Sequence, residues 1–557
     1  MSRPLDLVLL WHMHQPDYRD PASGEFLFPW VYLHALKDYS DMAWHLEQRT
    51  GMHATVNLVP VLLDQIEDYA RQFERRELRD PLLRLLVHAD PDRMDKTERA
   101  LVLDSCFRSN HDRMIEPFPA YRALHALYLQ CEEGGDASCS YLSGQYLADL
   151  LTWYHLAWTG ESVRREHALV VQLMTKGSGF SAADRAALLD LIGHVVRGII
   201  PRFRALAASG RVELTTTPQQ HPLAPLLLDL ASARQAEPGI ELPHELSYPG
   251  GRSRVAAHLS SAITSHEARF GARPKGVWPA EGALSDALVE MLTGAGCAWA
   301  ASSETVAANS LRSLARAAED KNRFLYRPYQ TSGLMLLFRD DRLSDLIGFE
   351  YAKWHGKDAS SHFVSELETI AGDAAEGDVP LVSVMLDGEN AWEYYPYNGF
   401  YFLQDLYGAL ESHASIRTRL PVQCLERVRE PLERIVAGSW VYGSFSTWIG
   451  SHDKNRAWDL LCAAKRSFDL VSASGRLAPS KLSEAEHRLA VCEASDWFWW
   501  FGDYNPAHAV ASFDRLFRRN LTELYRLLEL QPPAELSQPI SHGGGEPEAG
   551  GAMRRAT

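Results

Sequence analysis

Seven short apolar runs, at 5–11, 54–58, 211–217, 276–278, 298–301, 334–338 and 381–386, most constrain how this chain can fold. Each is too short for a core helix, and a continuous apolar run of this length reads as a strand buried on both faces. Such strands belong to parallel sheets with helices on both sides. The first run ends in His12-Met13-His14-Gln15-Pro16, so a buried strand delivers polar side chains at its carboxyl end. Helix-period segments such as 61–73 and 284–293 lie between the runs. The repeated strand-then-helix order predicts a parallel α/β architecture, a closed or nearly closed barrel that gathers its strand ends on one face.

The alternation breaks twice. Between about 77 and 200 the pattern is helical, with Pro81 opening one segment and Ser181 capping another, which reads as an insertion on the barrel. From about 400 helical patterns return at 403–412, 457–472 and 506–530, so a barrel unit over 1–400 and a helical domain over 401–530 are expected. The stretch 238–251 reads as a loop near the strand ends, and 531–557 reads as a disordered tail, most clearly in its glycine-rich part after 541.

A formal net charge of −16 excludes a sequence-independent nucleic-acid binder, which would carry a basic face, and favours an uncharged polymer as partner. Fifteen Trp and 21 Tyr supply flat rings for that purpose or for core filling. The seven Cys have no CxxC spacing, which favours reduced thiols inside a cell. With no signal peptide and no membrane-spanning run, a cytoplasmic location is expected.

Two acids stand just past apolar stretches with aromatics beside them: Glu281 in Gly276-Val277-Trp278-Pro279-Ala280-Glu281, and Asp387 in Val384-Met385-Leu386-Asp387-Gly388-Glu389-Asn390. Glycosidic cleavage needs such a pair, one carboxyl to protonate the leaving oxygen and one to attack or to activate water, without a metal or other cofactor. His12 and His14 point the same way on a strand and bind either sugar hydroxyls or a metal; no other compact ligand set accompanies them. Glu389 shares the face of Asp387 if the strand continues, which suits hydroxyl binding; Glu393 is the other nearby acid. Trp30, after the first strand loop, is a candidate for the cleft rim.

His14-Gln15-Pro16, Gly210 to Leu214 with His221-Pro222-Leu223, Trp278-Pro279-Ala280-Glu281, Asp387-Gly388-Glu389-Asn390-Ala391-Trp392, and Ala494-Ser495-Asp496-Trp497-Phe498-Trp499-Trp500 resemble, in order, the five motif regions of glycoside hydrolase family 57. The resemblance implies an incomplete (β/α)7 barrel followed by a helical domain, and a retaining enzyme acting on α-glucan polysaccharide or malto-oligosaccharides. It places the nucleophile at Glu281 and the general acid/base at Asp387, with carboxyls roughly 5 to 5.5 Å apart as retention requires. Substrate contacts are expected from Glu213, His221, Trp278, Arg339, Asp496 and Trp497, with Trp448 as a stacking platform and Arg339 keeping Glu281 ionised. The Asp387 and Asp496 segments look most like amylopullulanase and α-amylase members, so hydrolysis of α-1,4 bonds, with α-1,6 bonds as a second target, is expected. Glucan transfer or branching by the same acids, a metal-dependent hydrolase using His12 and His14, and a non-catalytic glucan-binding protein are the alternatives.

Overall fold

A computed structural model describes residues 3–133 and 139–545. Ten strands form two sheets: β1 (Leu5–Met13), β2 (Ala54–Leu58), β3 (Val212–Thr215), β4 (Gly276–Val277), β5 (Trp299–Ser303), β6 (Tyr329–Thr331), β7 (Leu334–Arg339), β8 (Leu381–Asp387), β9 (Ile416–Thr418) and β10 (Glu430–Pro431). One sheet runs β3-β2-β1-β8 with β9 also on β1, and the other β10-β6-β7-β5-β4. A parallel bridge between Thr216 and Val277 joins β3 to β4. The Asp340 amide donates to the Ser383 carbonyl (2.8 Å) and joins β7 to β8. Seven parallel strands, β1, β2, β3, β4, β5, β7 and β8, thus close into a barrel held at two seams by few bonds, the incomplete (β/α)7 form.

Alternation along the strands decides what reaches the barrel mouth. Val8 and Leu10 of β1 and Leu381 and Met385 of β8 fill the interior with Trp278, Trp299 and Leu337, whereas Leu5, Leu7, Leu9 and Trp11 pack outward against the helices. His12 and Asp387 continue the two inward rows, and the parallel register sets them side by side.

β6 and β7 form a hairpin through Ser332 and Gly333, both with φ positive (48° and 87°), the pair that a tight two-residue turn demands. β6, β9 and β10 are too short to show a period in sequence, and β9 and β10 still pair with β1 and β6 beyond residue 400.

The insertion is helical, including Lys96–Ser105, Gly144–Ala157 and Ala182–Ala208. Ser181 caps the last of these in a reciprocal box with Asp184, as its sequence suggests. The C-terminal region is built on His452–Ser474, Pro479–Cys492, Ser495–Trp500 and Ala507–Leu527. Residues 531–545 are not the disordered tail expected of them: Leu536 and Ile540 are buried, and the Ile540 amide donates to Asp514 Oδ1 (2.8 Å). The apolar pair Leu536/Ile540 anchors this stretch despite its prolines; residues 546–557 lie outside the described residues. Among the described residues no helix is long and apolar enough to cross a membrane.

Glu493 ties the C-terminal helices to the barrel. It accepts from Tyr248 Oη (2.5 Å), Arg254 Nε and Nη2 (2.9 Å each) and His258 Nε2 (2.7 Å), the last two residues lying on the barrel helix Gly251–Phe270. Burial works against its charge, but the hydrogen bond from His258 and the charge of Arg254 win and hold its carboxyl down at about 2. Removing one partner of such a buried set strands the others, typically at about 3–5 kcal/mol. Glu493→Gln therefore lowers the thermal midpoint at pH 7. Because the folded value lies below the unfolded one, the gap between parent and variant closes as pH falls from about 4.5 to about 2, and thermal unfolding across that range checks it.

Candidate active site

A cleft of about 930 Å³ opens over the carboxyl ends of β1, β7 and β8, and His12, Arg339 and Asp387 line it. Asp387 ends β8, and its Oδ2 accepts from Asn390 Nδ2 (2.9 Å). The chain turns at once: the Gly388 amide donates to the His12 carbonyl (2.6 Å), and a Cβ there would lie 2.9 Å from Met13 Cγ. Burial pushes Asp387 up to about 6, against the hydrogen bond from Asn390 and the charges of His14 and Arg339.

Glu281 arrives from β4, which holds two residues; its Gly276 presses on the Trp299 ring, where a Cβ would lie 1.9 Å from Cε2. Glu281 has φ 58°, a left-handed backbone that a non-glycine residue adopts at a cost of about 1 kcal/mol or more. A second segment holds it there: the Trp440 amide donates to the Glu281 carbonyl (3.0 Å), and Leu284 and Gly438 exchange both backbone hydrogen bonds (2.9 and 3.1 Å). Trp440 Nε1 then donates to Glu281 Oε2 (2.9 Å), and Ser495 Oγ reaches Oε1 at 3.5 Å. Burial raises Glu281 to about 8, with the charges of Asp496 and Asp387 adding to it and the bonds from Trp440 and Ser495 opposing.

Three imidazoles complete the floor. His12 Nδ1 donates to Asn57 Oδ1 (2.7 Å), and burial followed by the charge of His14 takes His12 down to about 3, so it is neutral. His221, also with φ positive (55°), forms a triangle with the others, stacked on His14 (centroids 3.8 Å, 18°) and nearer to it than to His12 (5.2 Å). His14 Nε2 donates to Asp496 at 2.9 and 3.1 Å. His221 Nδ1 meets Ser495 Oγ (2.9 Å), which continues the chain to Glu281.

His14, His221 and Asp496 bring their donor atoms within 4.8 Å of one another, the one arrangement of this kind among the described residues. They do not fit a metal as arranged. Stacked, nearly parallel rings point their lone pairs side by side, and an ion bonded to both would lie far out of each ring plane. Their remaining polar atoms suit sugar hydroxyls better: His221 Nε2 is buried without a partner in the protein.

The cleft also gathers Trp30 and Glu389. Glu389 lies past the end of β8, in a turn rather than on a continuing strand; it accepts from the His14 amide (3.1 Å), and burial and the charge of Asp387 raise it well above the carboxylate range.

Four expected contacts are elsewhere. Trp448 and Trp497 are fully buried in the C-terminal core, Trp448 giving its carbonyl to Trp458 Nε1 and Trp497 donating to the Val491 carbonyl. Glu213 is buried below the mouth, accepting from Trp299 Nε1 (2.7 Å) and the Val422 amide (3.1 Å), and burial lifts it to about 7. Trp278 is fully buried beneath Trp440 and His12. Arg339 lines the cleft but is gripped by Asp341, Asp345 and the Met385 carbonyl, and its charge favours the ionised form of Asp387. Trp440, Ser495 and Asn390 are the functional neighbours that sequence reasoning missed. Trp440 lies in Gly438-Ser439-Trp440, eight residues before Trp448, and nothing local in the sequence distinguishes the two.

Burial lifts both carboxyls, Glu281 to about 8 and Asp387 to about 6, and the charge of Asp387 adds to the rise at Glu281. Their order is opposite to the roles implied by the motifs, in which Glu281 is the ionised group. For a reaction that needs one carboxyl charged and one protonated, kcat/KM follows a bell with apparent values near 6 and 8. Trp440→Phe removes a hydrogen bond to the charged Glu281 and moves the upper value to higher pH by about one unit; a pH series on both proteins checks it.

The sequence profile of Glycosyl hydrolase family 57 matches residues 8–436. A search of curated proteins finds no match. Among solved structures, a branching enzyme from Thermococcus kodakaraensis is 15% identical, covering 95% of this chain and 90% of its own, with a TM-score of 0.56. A branching enzyme from Pyrococcus horikoshii is 16% identical over 100% of both chains, TM-score 0.56. An α-amylase from Thermotoga maritima is 13% identical over 95% of this chain and 93% of its own, TM-score 0.55.

Proposed function

The chain belongs to glycosyl hydrolase family 57, and on that premise we propose that it hydrolyses α-1,4 bonds of α-glucans with retention, α-1,6 bonds of pullulan being a second target. The observation that carries this is the pair of half-buried carboxyls, Glu281 and Asp387, facing one cleft from β4 and β8, across the barrel from each other. Glu281 attacks the anomeric carbon as Asp387 gives its proton to the leaving oxygen; water then attacks the glycosyl-enzyme as Asp387 takes the proton back. The motif positions support these roles. So does the hydrogen bonding: Trp440 and Ser495 donate to Glu281 and favour its charged form, although burial, the larger effect, and the charges of Asp496 and Asp387 oppose it.

His14, His221, Glu389 and Asp496 face the cleft with polar atoms and are proposed to hold the hydroxyls of the sugar being cleaved. Trp30 and Trp500, the latter stacked on Phe513 (4.5 Å, 11°), supply apolar wall on which sugar rings pack.

Glu281→Gln and Asp387→Asn each reduce the rate on amylose at least about a thousandfold, as loss of a covalent or acid/base role does. Near-parent turnover by either variant removes its role. The parent releases new reducing ends as α-anomers, read by proton NMR in the first minutes; β-anomers contradict retention, and chain rearrangement without reducing ends replaces hydrolysis by glucan transfer.

A further inference from the structure

Exposed tyrosines gather where chain leaves the cleft. Tyr394, Tyr397 and Tyr401 are 40%, 58% and 46% exposed, and all three lie in the segment that follows Asp387, with Tyr394 itself on the cleft wall. Tyr442, 50% exposed, follows Val441, which is also on the wall.

Two of these rings are displayed at a conformational cost. Tyr397 and Tyr442 have φ of 52° and 56°, a region that a bulky residue avoids and an exposed ring does nothing to stabilise. The surrounding chain enforces both. Asn398, itself at φ 54°, accepts from Lys37 Nζ (2.8 Å) and donates to Asp41 Oδ2 (2.9 Å), anchoring the turn beneath Tyr397. Ser439 Oγ binds the Val441 amide (3.1 Å) and the Ser444 carbonyl (2.7 Å), closing the loop that presents Tyr442. Of the described non-glycine residues with positive φ, Glu281 and His221 belong to the reaction centre; Tyr397 and Tyr442 lie just outside it. Strain that is enforced next to a site is a sign of use.

The two loops come from different parts of the barrel mouth. Tyr397 follows β8, whereas the Tyr442 loop is bonded through Gly438 and Trp440 to the loop after β4. We propose that Tyr397, with Tyr401 at its edge (5.3 Å), and Tyr442 are stacking platforms for the stretches of an α-glucan chain that extend out of the cleft on either side of the scissile bond. The occupant follows from continuity with the cleft and from the acidic chain, which disfavours an anionic partner. This rests on the activity proposed above.

An aromatic stacking contact of about 1 kcal/mol corresponds to roughly five- to tenfold in affinity. Tyr397→Ala and Tyr442→Ala each lower kcat/KM on amylose by about that factor relative to kcat/KM on a maltotriose-length chromogenic glycoside, while Phe at either position restores the parent ratio. Tyr397→Gly relieves the backbone and keeps the melting temperature at or above that of Tyr397→Ala, yet loses the polymer preference. Equal losses on both substrates, or none on amylose, overturn the inference. Native-gel retardation by amylose in a Glu281→Gln background reads binding alone: undiminished retardation after both tyrosine changes overturns the inference even if cleavage stands. A chain that cleaves no α-glucan but is retarded through these tyrosines overturns the activity and leaves the platforms.

Discussion

Two half-buried carboxyl groups in one mouth are the constraint on which this structure depends. Each charge taken from water costs several kcal/mol unless donors replace the lost solvent. Asp387 takes its donor from the turn that follows it, Asn390, whereas Glu281 takes both of its own from far along the chain, Trp440 and Ser495. No single βα unit can supply the donors of Glu281. The barrel sets Asp387 beside His12 by strand register, while the segments at 438–440 and 495–496 reach the same point from beyond it.

The same demand explains where the backbone is strained. Glu281 and His221 both hold left-handed conformations, and each is clamped by its neighbour: Trp440 on Glu281, and the Ser495 amide on the His221 carbonyl (3.0 Å). The clamps are backbone hydrogen bonds, so the side chains are aimed before any sugar arrives. Glu493, gripping Tyr248, Arg254 and His258, fixes the helix pair from which Ser495 and Asp496 project. Stability of that distant ion cluster and geometry at Glu281 are thereby linked.

The barrel strands were legible because burial on both faces leaves a continuous apolar run, and Glu281, Asp387, His14 and Asp496 were legible because they sit at fixed places in ordered motifs. What escaped was three-dimensional selection among similar residues. Trp440 and Trp448 share one short segment, and only the exchange of backbone bonds between Gly438 and Leu284 turns the first toward Glu281 and leaves the second in the core. Glu213 and Trp278 carry motif positions yet face the layer beneath the mouth, where they pack around Trp299 and His12. Residues 531–545 misled for the opposite reason: their composition is that of a flexible segment, but two apolar side chains, Leu536 and Ile540, suffice to dock them.

The division of roles between the acids is the central claim, and electrostatics alone orders them the other way. Azide rescue of the two small variants tests it most directly, since azide occupies the space of the missing carboxyl and attacks from that side. With an activated α-glucoside, Glu281→Gly plus azide should yield the β-glycosyl azide by a single displacement, and Asp387→Ala plus azide the α-glycosyl azide through the covalent intermediate. The reverse pairing of anomers would contradict the account and make Asp387 the nucleophile.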